Sequence, residues 1–330
     1  MRHPACQWIM LPALLLVPVT LMAQQSDRTV AVARIELTPA EVVLEGAGAT
    51  RQLLVTGITR SGEQVDLTHQ ASYQLGGSGI AEVNDQGVIQ SRADGEDRLK
   101  VRAGGKDLVA TVRVAGSGVQ RPLNFNNDVI PILSRFGCNS SGCHGKAEGQ
   151  NGFKLSVFGF DAANDYRALV MEGRGRRVFP ASPENSLLLL KAAGGMPHGG
   201  GVRLSPGEPE YVTLRNWITT GTPLGNDDDP RVVGIEVIPD QRILEMTRSQ
   251  QLQVIASFSD GRHEDVTHLS SFQSNSEVPG TVDENGRVLA GESPGTVAVM
   301  ATYMGQVDVF QAIIPRVETI REYPDVAEVN

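Results

Sequence analysis

The chain has 330 residues with 29 basic and 38 acidic side chains, a formal charge of −9. Forty per cent hydrophobic and twenty per cent charged residues exclude wholesale disorder, and the acidic balance argues against a nucleic-acid surface, which needs a positive face. The length predicts two or three domains, and 36 glycines with few aromatics point to many turns and short strands.

Residues 1–23 read as a cleaved secretory signal. Arg2 and His3 form a short basic start, Ile9 to Met22 is an apolar run broken by Pro12 and Pro18, and Ala23 precedes Gln24. A retained anchor needs about 20 apolar residues, more than this run supplies. The expectation is an exported chain, periplasmic or at the cell surface, with no transmembrane segment after cleavage. Cys6 leaves with the signal, so the thiols that remain are Cys138 and Cys143. An oxidising compartment permits a disulfide between them.

After the signal, one pattern occurs twice. Arg34-Ile35-Glu36-Leu37-Thr38-Pro39 is matched about two hundred residues later by Gly234-Ile235-Glu236-Val237-Ile238-Pro239. Gln52-Leu53-Leu54-Val55 is matched by Gln251-Leu252-Gln253-Val254, and Asp66-Leu67-Thr68-His69 by Asp265-Val266-Thr267-His268. Val83-Asn84-Asp85-Gln86-Gly87 is matched by Val282-Asp283-Glu284-Asn285-Gly286. Four landmarks in one order at nearly constant offset indicate an internal repeat. Period-two alternation, as in Gln251 to Phe258, with Asp-Gly and Asn-Gly punctuation predicts antiparallel sandwiches. Segments 31–116 and 232–315 resemble bacterial Ig-like domains of group two, a resemblance that implies a fold and an extracytoplasmic setting but no activity. His69 and His268 hold equivalent places; a paired metal site is conceivable there, but both are read as part of the module's own turn.

Between the repeats the texture changes. Residues 123–225 hold nine of the fifteen aromatics that follow the signal, and Trp217 is the one tryptophan among them. Asn127 or Asp128 can cap a helix with Pro131 in its first turn, running through Ile132, Leu133 and Phe136 to Gly137. A second helix is predicted from Ser182-Pro183-Glu184 through Leu187 to Leu190. The last starts at Ser205-Pro206-Gly207-Glu208, a capping-box spacing, and carries Val212, Leu214, Trp217 and Ile218. Residues 226–231, with Asp227, Asp228 and Asp229, read as a solvated acidic linker that lacks the ligand spacing of a calcium loop. Residues 316–330 form a C-terminal tail.

Cys138-Asn139-Ser140-Ser141-Gly142-Cys143-His144 is the most informative stretch. Two thiols and an adjacent imidazole suit covalent haem attachment, although four residues separate the cysteines here instead of the usual two. A Cys138–Cys143 disulfide, a zinc site lacking its fourth ligand, and a redox dithiol are the competing readings. Gly142-Cys143-His144-Gly145, Asn151-Gly152-Phe153, Met196-Pro197, Pro197-His198-Gly199-Gly200-Gly201 and Leu214-Arg215-Asn216-Trp217-Ile218 together resemble a planctomycete-type cytochrome c domain, here flanked by Ig-like modules. The resemblance implies haem c held covalently by Cys138 and Cys143, His144 as proximal iron ligand, and Met196 as distal ligand with His198 as its alternative. Phe136, Phe153 and Trp217 would line the haem pocket. Arg174, Arg176, Arg177 and Arg203 are candidates for propionate pairing.

The fold class expected is therefore multidomain, two all-β Ig-like sandwiches flanking an all-α class I cytochrome c-like domain. The function expected is one-electron transfer to a redox partner protein or to a fused or associated enzyme, with no nucleic-acid partner. The Ig-like modules would serve as spacers or dock on cell-envelope components. Two alternatives stand beside it: a haem-free surface binding or scaffold protein with a Cys138–Cys143 disulfide, and the N-terminal part of a larger multidomain redox enzyme. No Gly-x-Ser-x-Gly elbow, His-Glu-x-x-His or phosphate loop points to a catalyst.

Overall fold

A computed structural model describes residues 31–316. The expected signal peptide, and the expected tail apart from Arg316, lie outside the described residues.

The first repeat is a sandwich. Val32–Thr38, Leu54–Thr59 and Gln64–Asp66 form one antiparallel sheet. Val42–Glu45, Lys106–Ala115, Gly95–Ala103 and Ser72–Leu75 form the sheet that faces it. A short sheet of Thr50–Gln52, Val88–Ser91 and Ala81–Val83 closes one end. Strict alternation places the core: along Gly95–Ala103, Leu99, Val101 and Ala103 point inward while Arg98, Lys100 and Arg102 face water. The edge segment Val42–Glu45 runs parallel to Val112–Ala115, although the other pairings in its sheet are antiparallel.

The second repeat copies this plan strand for strand, from Val232–Ile238 to Gln306–Ile314. Its edge strand Gln241–Ile243 is likewise parallel to the last strand, at Gln311–Ile313. Leu252, Val254, Val297, Val299, Phe310 and Ala312 form the dry centre. Gly87 and Gly286 both adopt φ +78°, a left-handed conformation that suits glycine, and their carbonyls accept from Leu53 and Leu252 N–H at 2.8 and 2.9 Å. The Ig-like reading of both repeats therefore stands.

The two sandwiches are bonded to each other through the Asp-x-Thr-His turns. Asp66 Oδ1 accepts from the main chain and the hydroxyl of Thr68, and Thr68 Oγ1 in turn accepts from Val55 N–H at 2.9 Å. In the second copy Asp265 Oδ1 accepts from Thr267 N–H, and Thr267 Oγ1 accepts from Val254 N–H at 2.8 Å. Each aspartate's second oxygen reaches across: Gln251 N–H donates to Asp66 Oδ2 and Gln52 N–H donates to Asp265 Oδ2, both at 2.8 Å. The glutamine side chains hold their own sandwiches, Gln52 on the carbonyl of Gln86 and Gln251 on that of Asn285. His69 Nε2 donates to Gln251 Oε1, and Gln253 Nε2 donates to Gln52 O and to Asp265 Oδ2. All four acceptor and donor residues of the reciprocal pair are buried.

The middle segment corrects the expected fold class. The chain is predominantly β, and no all-α class I cytochrome domain interrupts it. Residues 123–225 carry only short helices: α1 (Ile130–Arg135), α2 (Ala162–Tyr166), α3 (Leu187–Ala192) and α4 (Pro209–Thr219), joined by long loops and single turns. The physical reason is composition: sixteen glycines and seven prolines in this stretch confine helix to short runs, the longest being 125–135, 162–171 and 209–219. A small core still forms around Trp217, Phe125, Leu133, Leu155, Leu169, Leu189 and Leu214. Phe125 meets Tyr166 edge-on at 5.4 Å and Trp217 at 5.7 Å. Trp217 Nε1 and Tyr166 OH donate to the carbonyls of Pro223 and Thr222, and Phe125 N–H donates to Pro223 O, which ties the end of the segment to its beginning. Leu269 and Met304 of the second sandwich pack on this core, and Arg135 Nε donates to His268 O.

The acidic linker is largely exposed, and side-chain hydrogen bonds tie it to the middle segment. Asp229 Oδ2 accepts from Asn226 N–H and from Asn124 Nδ2, and Asn127 Nδ2 donates to Pro230 O.

Candidate functional site

The loop that carries Cys138, Cys143 and His144 follows directly from α1. Cys138 N–H donates to Leu133 O, continuing the end of that helix, and the residue packs on the small core of the middle segment. Cys143 N–H closes a turn on Ser140 O, and His144 N–H returns to Cys138 O at 3.0 Å. Gly145 is required by crowding: a Cβ there would sit 2.1 Å from Asn139 O. Cys138 and Cys143 are both free thiols. Burial pushes the Cys138 thiol up to about 11, against the opposing charge of Arg203, so it is protonated at neutral pH.

His144 is fixed in orientation. Its Nδ1–H donates to Phe153 O at 3.0 Å, its ring lies 4.5 Å from the Phe153 ring, and its carbonyl accepts from Leu155 N–H. Arg177 lies over the Phe153 ring at 4.6 Å and donates to the carbonyls of Gly152 and Ala168. Burial, with His198, Arg177 and Lys191 nearby, holds His144 below the ordinary imidazole range, while the Phe153 carbonyl opposes the shift.

Among the residues expected as ligands, the structure brings His144 and His198 together. Their rings lie 6.4 Å apart and within 11° of parallel. Met196, expected as the distal ligand, stands on the surface, 39% exposed. Trp217 is a core residue, Phe136 lies half-buried under the Arg135 guanidinium, and Phe153 is the one expected pocket aromatic that contacts His144. Arg174 and Arg176 belong to an exposed turn at Gly173–Gly175, remote in role from the histidines. The best-formed cavities described lie elsewhere. One, about 200 Å³, is lined by Asn126, Asn127, Gly225, Asp227 and Asp229, and one of about 50 Å³ lies at the clasp beside Gln52, Gln251 and His268.

No protein-family model matches the chain, and no curated protein sequence matches it. Among solved structures, domains 5–6 of the S-layer protein SbsC are 10% identical, with 86% of this chain and 99% of that one covered and a TM-score of 0.33. A longer SbsC structure, domains 4–9, gives 10% and 0.32, with 86% of this chain covered and only 31% of that one spanned. The extracellular domains 3–5 of Drosophila OTK are 8% identical over 86% of this chain and 62% of that one, with a TM-score of 0.18. At these scores the likenesses carry no argument about what this chain does.

The cytochrome reading is corrected here. The chain is built of Ig-like sheets with a helix-poor middle, and among the described residues no group of three or more His, Cys, Asp or Glu side chains could hold a metal ion. The resemblance to a planctomycete-type cytochrome c domain rests on local spacings that the fold does not carry through, and one-electron transfer is withdrawn with it. Covalent haem stays an expectation from the sequence alone. Among the described residues no helix is long and apolar enough to cross a membrane.

What sequence reasoning missed is the clasp. Its signal was present: polar Gln52 and Gln251 at equivalent strand positions, and an Asp-x-Thr repeated in both modules, at sites that become buried. Buried polar residues at matching places in two repeats ask for partners.

Proposed function

We propose that this chain is an exported scaffold of the cell envelope, periplasmic or at the cell surface, whose two Ig-like modules present the middle segment to envelope components in a fixed geometry. The observation that carries the reading is the reciprocal pair of bonds from Gln251 N–H to Asp66 and from Gln52 N–H to Asp265. Tandem modules on free linkers act as spacers. Modules that bury charged acceptors against each other's main chain act as one rigid frame, and a frame suits holding a surface in position. The frame is fastened to its cargo by Arg135 on His268 O and by Leu269 and Met304 against the middle core. The net charge of −9 suits a basic envelope partner whose association weakens with salt.

The test is retention of the purified native chain on isolated envelopes, together with protease accessibility on intact cells. The reading expects binding that falls with added salt and is weakened in the Asp66→Ala/Asp265→Ala double variant. A chain found in the cytoplasm, or one that ignores envelopes at every salt concentration, overturns it.

A further inference from the structure

We propose that the outer face of the four-stranded sheet in the second sandwich pairs with the same face of a second copy of this chain. The inference goes beyond the scaffold reading and does not depend on it. The sheet is ordered Gln241–Ile243, Gln306–Ile314, Gly295–Tyr303 and Ser271–Ser274. Its register sets which side chains share the outer face: Ile243 lies beside Ile313, Met300 beside Val309, and Val307 beside Thr302. Ile243, Ile313, Met300, Val307 and Val309 are all exposed, the first 65% and the second 52%. The outward positions of these four strands hold only Ile, Val, Met, Ala, Thr, Ser and Gln. The charged residues of the same strands, Arg242 and Asp308, take inner-face positions beside buried Ala312 and Ala301, and Asp308 accepts from Val237 N–H at 2.7 Å.

The first sandwich shows that the fold does not call for a bare face. Its register is the same: Lys100 lies beside Val109 where Met300 lies beside Val309, and Arg102 lies beside Asp107 where Thr302 lies beside Val307. There the outer face is covered by charge. Arg102 and Lys100 pair with Asp107 at 3.0 and 3.8 Å, and Arg113 pairs with Glu96 at 3.1 Å. At the equivalent places of the second sandwich those five charges are replaced by Thr302, Met300, Val307, Ile313 and Thr296. A solvated antiparallel face ordinarily turns polar residues outward, and a contiguous uncharged, apolar one marks contact with another surface.

Charge and area point to a second copy as the occupant. A charged surface laid on this face would lose its water and find no counter-charge, so the covering surface must itself be uncharged. The outer face of the first sandwich fails that condition, and the same face of another copy meets it. With a net charge of −9, two copies repel over most of their surface, whereas face-to-face approach here brings no like charges together. Two such sheets can stack about 10 Å apart with their strands within about 30° of each other, and a two-fold axis makes the patch its own complement. Strands about 4.8 Å apart with a rise of about 3.4 Å per residue make a face of roughly 400 Å². Two of them bury roughly 800 Å² of flat area, which places the dimer among weak, reversible associations.

The experiment is sedimentation equilibrium of the native chain over a concentration series, with circular dichroism to check the fold of each variant. The native chain should show a monomer–dimer equilibrium with a dissociation constant on the order of 100 μM. Added salt should leave the pairing intact or strengthen it, because screening removes the repulsion between the two acidic chains. That is the opposite of the salt dependence expected for envelope binding, so the two readings fail separately. Met300→Lys and Ile313→Arg each place on this face the residue type that the first sandwich carries at the same position, Lys100 and Arg113, so both variants are expected to fold. Each should weaken pairing at least about ten-fold, since the two-fold brings the new charge against an uncharged sheet and towards its own copy. Val109→Thr, on the matching face of the first sandwich, should leave pairing unchanged. A native chain that stays monomeric across the series overturns the proposal, as does a dimer that survives both Met300→Lys and Ile313→Arg.

Discussion

Asp66 and Asp265, two hundred residues apart and equivalent by repeat, each accept the main-chain N–H of a glutamine in the other sandwich at 2.8 Å. Neither carboxylate is exposed. Burial raises the pKa of Asp66, against the hydrogen bonds of Thr68 and Gln251, which favour the ionised form. A buried carboxylate kept in place by three donors and shared between two modules welds them, because losing the contact strands both the charge and the opposing N–H.

Asp66→Ala is therefore expected to lower stability by about 1.5–3 kcal/mol, the range for a hydrogen bond to a charged group, and Asp265→Ala by a similar amount. The pair should be non-additive, because each substitution loosens the same interface. Urea unfolding of the two single variants and the double variant measures this. Additive losses would mean that the two bonds act independently.

Acid should weaken the molecule near the clasp. His268 stands exposed on its turn beside the middle segment, and desolvation by its neighbours lowers its pKa, with Asp265 and Glu210 opposing and Arg135 assisting. The folded state then binds fewer protons than the unfolded state below the ordinary imidazole value of about 6.5, so stability is full above that pH and is lost as pH falls through it. Melting curves from pH 7.5 to 5.5 should show a falling midpoint, and His268→Gln should flatten the slope.

The middle segment depends on its tryptophan. Trp217 is fully buried and bonded to Pro223 O, so Trp217→Ala should cost about 3–5 kcal/mol. Phe160 is 94% exposed, and Phe160→Ser should stay within about 0.5 kcal/mol. Denaturant midpoints separate the two.

The thiols should differ in reactivity. Cys138 is packed on the core with its thiol pushed up to about 11, whereas Cys143 sits on a turn. Iodoacetamide at neutral pH should modify Cys143 first, and Cys138 at a comparable rate only after unfolding, as peptide mass mapping over time would show.

Much of the frame was legible in the chain because it is local. Alternation along segments such as Gln251 to Phe258 and the turns at Gly87 and Gly286 follow from residue type, and both recur in the second copy. The clasp left only an indirect signal, polar residues at matching places in both copies, since the spacing within either repeat does not name a partner in the other. His69 illustrates the limit: its place in the turn was readable, but its bond to Gln251 in the other sandwich was not. The middle segment misled for a related reason. Cys138, Cys143, His144 and the Met196-Pro197 pair satisfy a local pattern, whereas glycines and prolines decide how the helices between them end. The resemblance placed Met196 opposite His144 with His198 as its alternative, and the turn closed by Gly201 brings the His198 ring beside that of His144.

The most direct test of the clasp is amide hydrogen exchange at Gln52 and Gln251, read residue by residue by nuclear magnetic resonance. Both N–H groups should exchange as slowly as the sandwich cores, and Asp66→Ala should release Gln251. Exchange of both amides at the rate of an open loop in the native chain would contradict a rigid, clasped frame.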